Sequence, residues 1–168
     1  TLMAAGHARS FMRLKQQHPA VVDFFPDTRA VGFAFCSIKK ERAGQGLEIA
    51  EAIVQRDFFA KIVVVVDDDI DVMDHNALLA AIGARWQPFG NLRVYEEMPA
   101  LPLDPSSVRI GKSSKIAIDA TRKWPEENGP EVFPESNEAL FLQGAPEAFS
   151  NVDARWGDEL RLWRPDLK

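Results

Sequence analysis

Cysteine is almost missing from this chain: Cys36 is the only one among 168 residues. That excludes an internal disulfide and argues against a structural zinc site built on thiolates. Histidine is nearly as scarce. His7, His18 and His75 share no metal-ligand spacing, and no Ser, His and acid grouping is suggested by adjacency. Long apolar runs are absent too, since Ile62 to Val66 has the length of a buried strand and falls far short of the roughly 20 residues a bilayer requires. No membrane insertion is expected. Positive charge is in deficit, with 20 Lys and Arg against 25 acids and a net charge of -5. Such a chain repels phosphates, so nucleic acid is not an expected partner. No basic, apolar and small-residue succession opens the chain, and with one lone thiol the expected compartment is the cytoplasm. The first residue is Thr1 rather than Met, which suggests a fragment or a trimmed product.

What is present reads as an ordinary globular chain, 46% hydrophobic and 27% charged. One domain is expected over 1–168, with 124–144 as a surface connection and 145–160 as a terminal helix. Leu2 to Gln17 has helical spacing, with Met3, Ala4, His7, Ala8, Phe11, Met12 and Leu14 on one half of the wheel, and Pro19 ends it. Val21 to Phe25, Ala30 to Ile38, Lys61 to Val66, Leu92 to Tyr95 and Lys115 to Asp119 read as strands. Gly44 to Phe58 is helical through Leu47, Ala50, Val54 and Phe58. A third helix starts at Asp74, a capping residue, with Met73 placed to staple against Leu78. Its expected buried stripe is Leu78, Leu79, Ile82 and Trp86, and Pro88 stops it. Glu96 to Ser114 shows no regular period and holds three prolines, as functional or partner-contacting loops do. Helices alternating with strands that are apolar on both faces imply an α/β fold, a three-layer α/β/α sandwich with a mixed, mainly buried sheet.

Three local features invite chemistry. Asp67-Asp68-Asp69-Ile70-Asp71, with Asp74 beyond, lies at the carboxyl end of a strand, where open α/β sheets place ligands. Several carboxylates there could hold a divalent cation. The Ca²⁺-loop pattern is not met, however, and capping of the next helix is the better explanation. Gly44-Gln45-Gly46 opens a helix and could invite a phosphate, but it follows no strand directly and lacks a third glycine. Arg109, Lys112, Lys115, Arg122 and Lys123 read as a solvated basic rim. None of these makes a convincing catalytic, cofactor-binding or metal site.

Five segments, in register, carry a resemblance. Lys61 to Val72 is similar to the strand-and-turn signature of the UbiD decarboxylases. Gly32 to Lys39 resembles a strand of that family. Leu103-Asp104-Pro105-Ser106, Ser114 to Thr121 and Val152 to Trp156 resemble its later loop, strand and C-terminal helix. The resemblance implies a reversible decarboxylase (a carboxy-lyase) that uses prenylated FMN with a divalent metal and potassium. In the family a preceding domain binds that flavin and supplies the catalytic Arg and two Glu residues, and none of these has a matching position here. The chain then corresponds to the C-terminal oligomerisation and substrate-pocket domain, inactive alone.

Its implied partners are further copies of itself, the N-terminal flavin-binding domain, and a small aromatic or α,β-unsaturated carboxylic acid. By register, Leu101 and Leu103 are the implied substrate-binding residues; the alternative is that both are core. A second functional reading is a stand-alone accessory or binding subunit of the same fold beside a separate catalytic subunit. A third is an unrelated α/β protein holding a metal at the acidic turn.

Overall fold

The computed structural model describes residues 2–27, 29–102, 104–107, 109–133 and 144–163, without the side chains of 2–7 and 161–163. The chain divides into two compact units, Thr1–Glu131 and Val132–Lys168. In the first, α1 (Leu2–Gln17), β1 (Val21–Pro26), β2 (Phe33–Ile38), α2 (Gln45–Arg56), β3 (Ile62–Asp67), α3 (His75–Arg85), β4 (Leu92–Pro99) and β5 (Lys112–Asp119) follow one another. The second contains α4 (Ala148–Trp163). No helix among the described residues is long and apolar enough to cross a membrane.

The five strands form one sheet in the order β1-β2-β3-β5-β4. Strands β2, β3 and β5 run parallel, and β1 and β4 close the two edges antiparallel. The fold is α/β with a mixed sheet, as the alternating pattern implies. Central strand β3 shows why: Val63 to Val66 are all 0–2% exposed. Burying each contributes roughly 1.5–3 kcal/mol relative to exposure, which favours β-branched residues covered on both sides. On one face Val63, Val65, Ala34, Cys36 and Ile38 join Leu14 of α1 and Ile49, Ala50, Ile53 and Val54 of α2. On the other, Phe35, Val64, Val66 and Ile118 meet Leu78 and Ala81 of α3.

Helix α3 starts where expected. The Asp74 carboxylate accepts the amides of Asn76 at 2.9 Å and Ala77 at 3.2 Å, a cap worth about 0.5–2 kcal/mol. Its buried stripe differs from expectation. Leu79 is 68% exposed, and Ala81 and Arg85 are buried with Leu78 instead. Met73 is exposed, and Val72 clusters with Leu78 in its place. In α1, Leu14 is buried, whereas Ala8 and Met12 face outward; the side chain of His7 lies outside the described residues.

The irregular segment is shorter than expected. Strands β4 and β5 extend to Pro99 and back to Lys112, pairing through a bulge between Tyr95 and Met98. Glu97 takes a left-handed φ of 56° at that bulge, an uncommon conformation for a residue with a Cβ. The connecting loop is therefore 100–111. After β5, Pro125–Glu127 makes one 3₁₀ turn.

Candidate functional site

The two ends of the parallel strands are built differently. At the carboxyl end, the acidic turn is committed to cations and amides of its own chain. Arg85 donates to Asp67 at 2.9 Å and bidentately to Asp69 at 2.8 Å for each bond. Arg122 adds a bond to Asp69 at 2.7 Å, and its backbone amide donates to Asp67 at 2.8 Å. The Arg85 hydrogen bond, with the nearby charges, holds the Asp69 carboxyl below its ordinary pKa. Asp71 accepts the Met73 amide, and Asp74 caps α3. Asp68 is exposed. Among the described residues, no three of His, Cys, Asp and Glu converge as a metal-binding group.

The glycine pair also serves the fold. Gly44 precedes α2 at φ 74°, and its amide donates to Glu127 Oε1 at 2.8 Å. Glu127 also pairs with the buried ammonium of Lys40, which donates to Thr121 Oγ1 and the Arg122 carbonyl as well. The best phosphate position on this chain, the α2 amino end, thus already faces a carboxylate of the same chain. Gly46 lies so close to Asp119 that a Cβ there would meet Oδ1 at 2.4 Å.

The basic rim expected from the sequence is partly interior. Lys123 is 4% exposed and pairs with buried Asp119 at 2.8 Å, and Lys115 is 3% exposed. His75, first residue of α3, is 2.7 Å from Asp27 Oδ2 and 3.2 Å from Arg29. The Arg29 amide, more than the imidazole, keeps the Asp27 carboxyl below its usual pKa.

At the amino end of β3 there is an open pocket. A cavity of about 450 Å³ is lined by Val31, Gly32, Phe58, Phe59, Ala60, Lys61, Ala100, Leu101, Asp104, Pro105 and Lys115. Leu101, a sequence-predicted wall, is half-buried on its lining. Leu103 lies outside the described residues. The loop carrying Leu101 is moored by Asp104, which accepts Lys61 at 3.0 Å, Ser113 at 2.9 Å, and both the amide and hydroxyl of Ser106 at 3.0 and 2.7 Å. The Ser106 hydroxyl and Lys61 ammonium hold its carboxyl well below the ordinary range. Phe58 and Phe59 stand edge to face with ring centres 5.7 Å apart, and both are exposed.

Sequence reasoning missed Phe58, Phe59 and Lys115 as pocket residues. The signal was two successive aromatics past the end of α2, of which only Phe58 fits a helical stripe. Such a pocket can bind an apolar molecule beside a fixed charge pair.

Comparison with known proteins places this geometry in a family. Residues 1–120 match the model of the 3-octaprenyl-4-hydroxybenzoate carboxy-lyase C-terminal domain; the Val152 to Trp156 resemblance lies beyond that match. Vanillic acid decarboxylase from Sedimentibacter hydroxybenzoicus, in its closed form, is similar at 26% identity over 84% of this chain and 31% of that one, with a TM-score of 0.66. HmfF from Pelotomaculum thermopropionicum, a UbiD-class enzyme in complex with FMN, is 26% identical over 80% and 31%, with a TM-score of 0.62. An evolved dimeric form of HmfF in complex with prenylated FMN shares the fold at 24% identity over 73% and 26%, with a TM-score of 0.54. The chain spans about a third of the length of these relatives or less. It belongs to the UbiD family of carboxy-lyases, as a C-terminal domain of that family.

Proposed function

We propose that this chain is the C-terminal oligomerisation and substrate-pocket domain of a decarboxylase that uses prenylated FMN and acts on an aromatic or α,β-unsaturated carboxylic acid. The observation that carries the reading is Leu101, held on a loop moored by Asp104 and opening onto the apolar cavity with Phe58 and Phe59. Ligand pockets are mostly apolar with a few polar anchors, and the named relatives support an aromatic acid and a flavin.

The residues described here do not fit the flavin itself. A flavin phosphate needs free amides or cations, and the α2 amino end and the basic residues beside it are taken by Glu127, Asp69 and Asp119. The flavin, its divalent metal and potassium therefore belong to a preceding domain in this reading, and the decarboxylation chemistry is the cofactor's. Self-association is supported by α4, where Phe149, Val152, Trp156 and Leu160 are exposed along one stripe at helical spacing.

The test is CO2 release from vanillate and cinnamate. It compares residues 1–168 alone with the same residues joined to a UbiD flavin domain, both supplied with prenylated FMN. Turnover is expected in the joined protein only. Turnover by 1–168 alone, or none in a folded, flavin-loaded joined protein, contradicts the proposal.

A further inference from the structure

The face formed by α1 and α2 carries charges that the fold does not use. Arg29, Arg42, Arg85, Arg93, Arg109 and Arg122 each lie within 4 Å of a carboxylate. Among the described residues, Arg9, Arg13 and Arg56 pair with none, in a chain with 25 acids. Arg9 and Arg13 stand one turn apart on the same side of α1, where like charges repel. Arg56 lies in the last turn of α2, a position the helix dipole favours; no such field accounts for the pair on α1. Arg13 and Arg56 meet at a cavity of about 520 Å³. Its apolar side is made of Leu14, Phe24, Ala52 and Ile53, and its rim adds the donors of Ser10 and Gln17. Asp57, also on the lining, is committed to its own chain, with Oδ1 accepting the Phe59 and Ala60 amides at 2.8 and 2.9 Å.

We infer that this cavity binds an alkyl phosphate monoester, with Arg13 and Arg56 on the phosphate and the hydrocarbon tail against Leu14, Phe24 and Ile53. The chemistry selects that class. A guanidinium is a planar fork that takes phosphate or carboxylate oxygens two at a time. Two of them at one cavity match a dianion, whereas a monocarboxylate would leave one cation uncompensated. The rim is rich in donors, as a head with three acceptor oxygens requires. The apolar side has no partner for a second polar group, so the body of the ligand is hydrocarbon. A flavin is excluded on the same ground, because the polar edge of its ring would be buried unpaired. About 520 Å³ is within the usual range for small-molecule sites, roughly 300–1,000 Å³. A cavity of this size encloses one short tail, which favours a soluble ester over a lipid held in a bilayer. None of these residues lines the Leu101 cavity, so binding here is independent of the decarboxylase reading.

The experiment is an NMR titration of the full chain with hexyl phosphate, following the Leu14 and Ile53 methyls. Hexanol lacks the head, inorganic phosphate lacks the tail, and hexanoate carries a single charge. Saturable shifts at both residues are expected from hexyl phosphate, with affinity for each of the other three weaker by about tenfold or more. Arg13→Gln and Arg56→Gln should each weaken hexyl phosphate by about tenfold, the loss of one charge-assisted contact. Arg109→Gln, at an exposed arginine of another face, should leave it unchanged. Added salt should weaken hexyl phosphate more than hexanol, and this measurement on the wild type keeps the test decisive if a variant does not fold. Phosphatidylcholine vesicles carrying phosphatidic acid separate the two sources of the head group. The chain is expected not to sediment with them, and Arg13-dependent sedimentation would overturn the soluble ester. Equal affinity for hexanol or hexanoate, unchanged affinity in either Arg→Gln variant, equal salt dependence, or no saturable shift would overturn the site.

Discussion

The Glu127 carboxylate receives the Gly44 amide at 2.8 Å, joining the segment after β5 to the amino end of α2. An anion at a helix amino end is favoured by the free N–H groups and the helix dipole. Here the same carboxylate also neutralises Lys40, whose side chain is 3% exposed. Removing it with Glu127→Ala leaves a buried ammonium without its counter-charge. The expected cost is about 3 kcal/mol, and Glu127→Gln, which keeps an acceptor for Gly44, should cost less. Urea unfolding of both variants checks this order; equal stability of wild type and Glu127→Ala would contradict it.

Gly46 packs against Asp119, which is 0% exposed and held by Thr121 and Lys123. Gly46→Ala would improve helix propensity by about 0.5–1 kcal/mol. The added Cβ collides with a carboxylate that cannot move without breaking its pair, a strain of roughly 1–3 kcal/mol. A net loss of stability is expected by thermal melting. A more stable Gly46→Ala protein would show that the helix has room to shift.

In the acidic turn, Arg85 separates structural carboxylates from a solvated one. Arg85→Met takes one cation from both Asp67 and Asp69, leaving them the bonds from Arg122, and should cost about 2–3 kcal/mol, between the exposed and fully buried cases. Asp68→Asn, at an exposed position, should change stability by no more than about 0.5 kcal/mol. Chemical denaturation of the two variants gives the comparison, and a larger loss in Asp68→Asn would reassign the turn.

Acid should destabilise the fold in a defined direction. Asp27, Asp69, Asp104 and Glu127 are all held below their ordinary values in the folded chain. Groups with depressed folded pKa bind more protons when unfolded. Their stabilisation is therefore complete above the ordinary carboxylate range and lost as pH falls through the folded values, below about pH 4. Melting temperatures between pH 7 and pH 3 should decline most steeply at the acid end; a flat profile would contradict the pairing described for these residues.

Where the pattern came from burial, it could be read. The Val63 to Val66 run, the Asp74 cap and the end of α1 before Pro19 all appear as the sequence implies. Where the reason is tertiary, it could not. β4 is an edge strand with most of its side chains exposed, so it carries no alternation, and its length was missed past Tyr95. Lys115 and Lys123 read as surface charges because only the folded chain shows the cavity and Asp119 beside them. At the site, the family resemblance pointed to Leu101, while Phe58 and Phe59 needed the turn after α2 to bring them alongside it.

The substrate-wall role of Leu101 is the central claim, and its most direct test is a ratio. In the complete enzyme, kcat/KM is measured for a small and a bulky aromatic acid, in wild type and in Leu101→Ala. Removing an apolar wall changes discrimination by about 1–3 kcal/mol, so the ratio should move by roughly 10–200-fold toward the bulky acid with little change in melting temperature. An unaltered ratio, accompanied by a stability loss of roughly 2–5 kcal/mol, would place Leu101 in the core and contradict the claim.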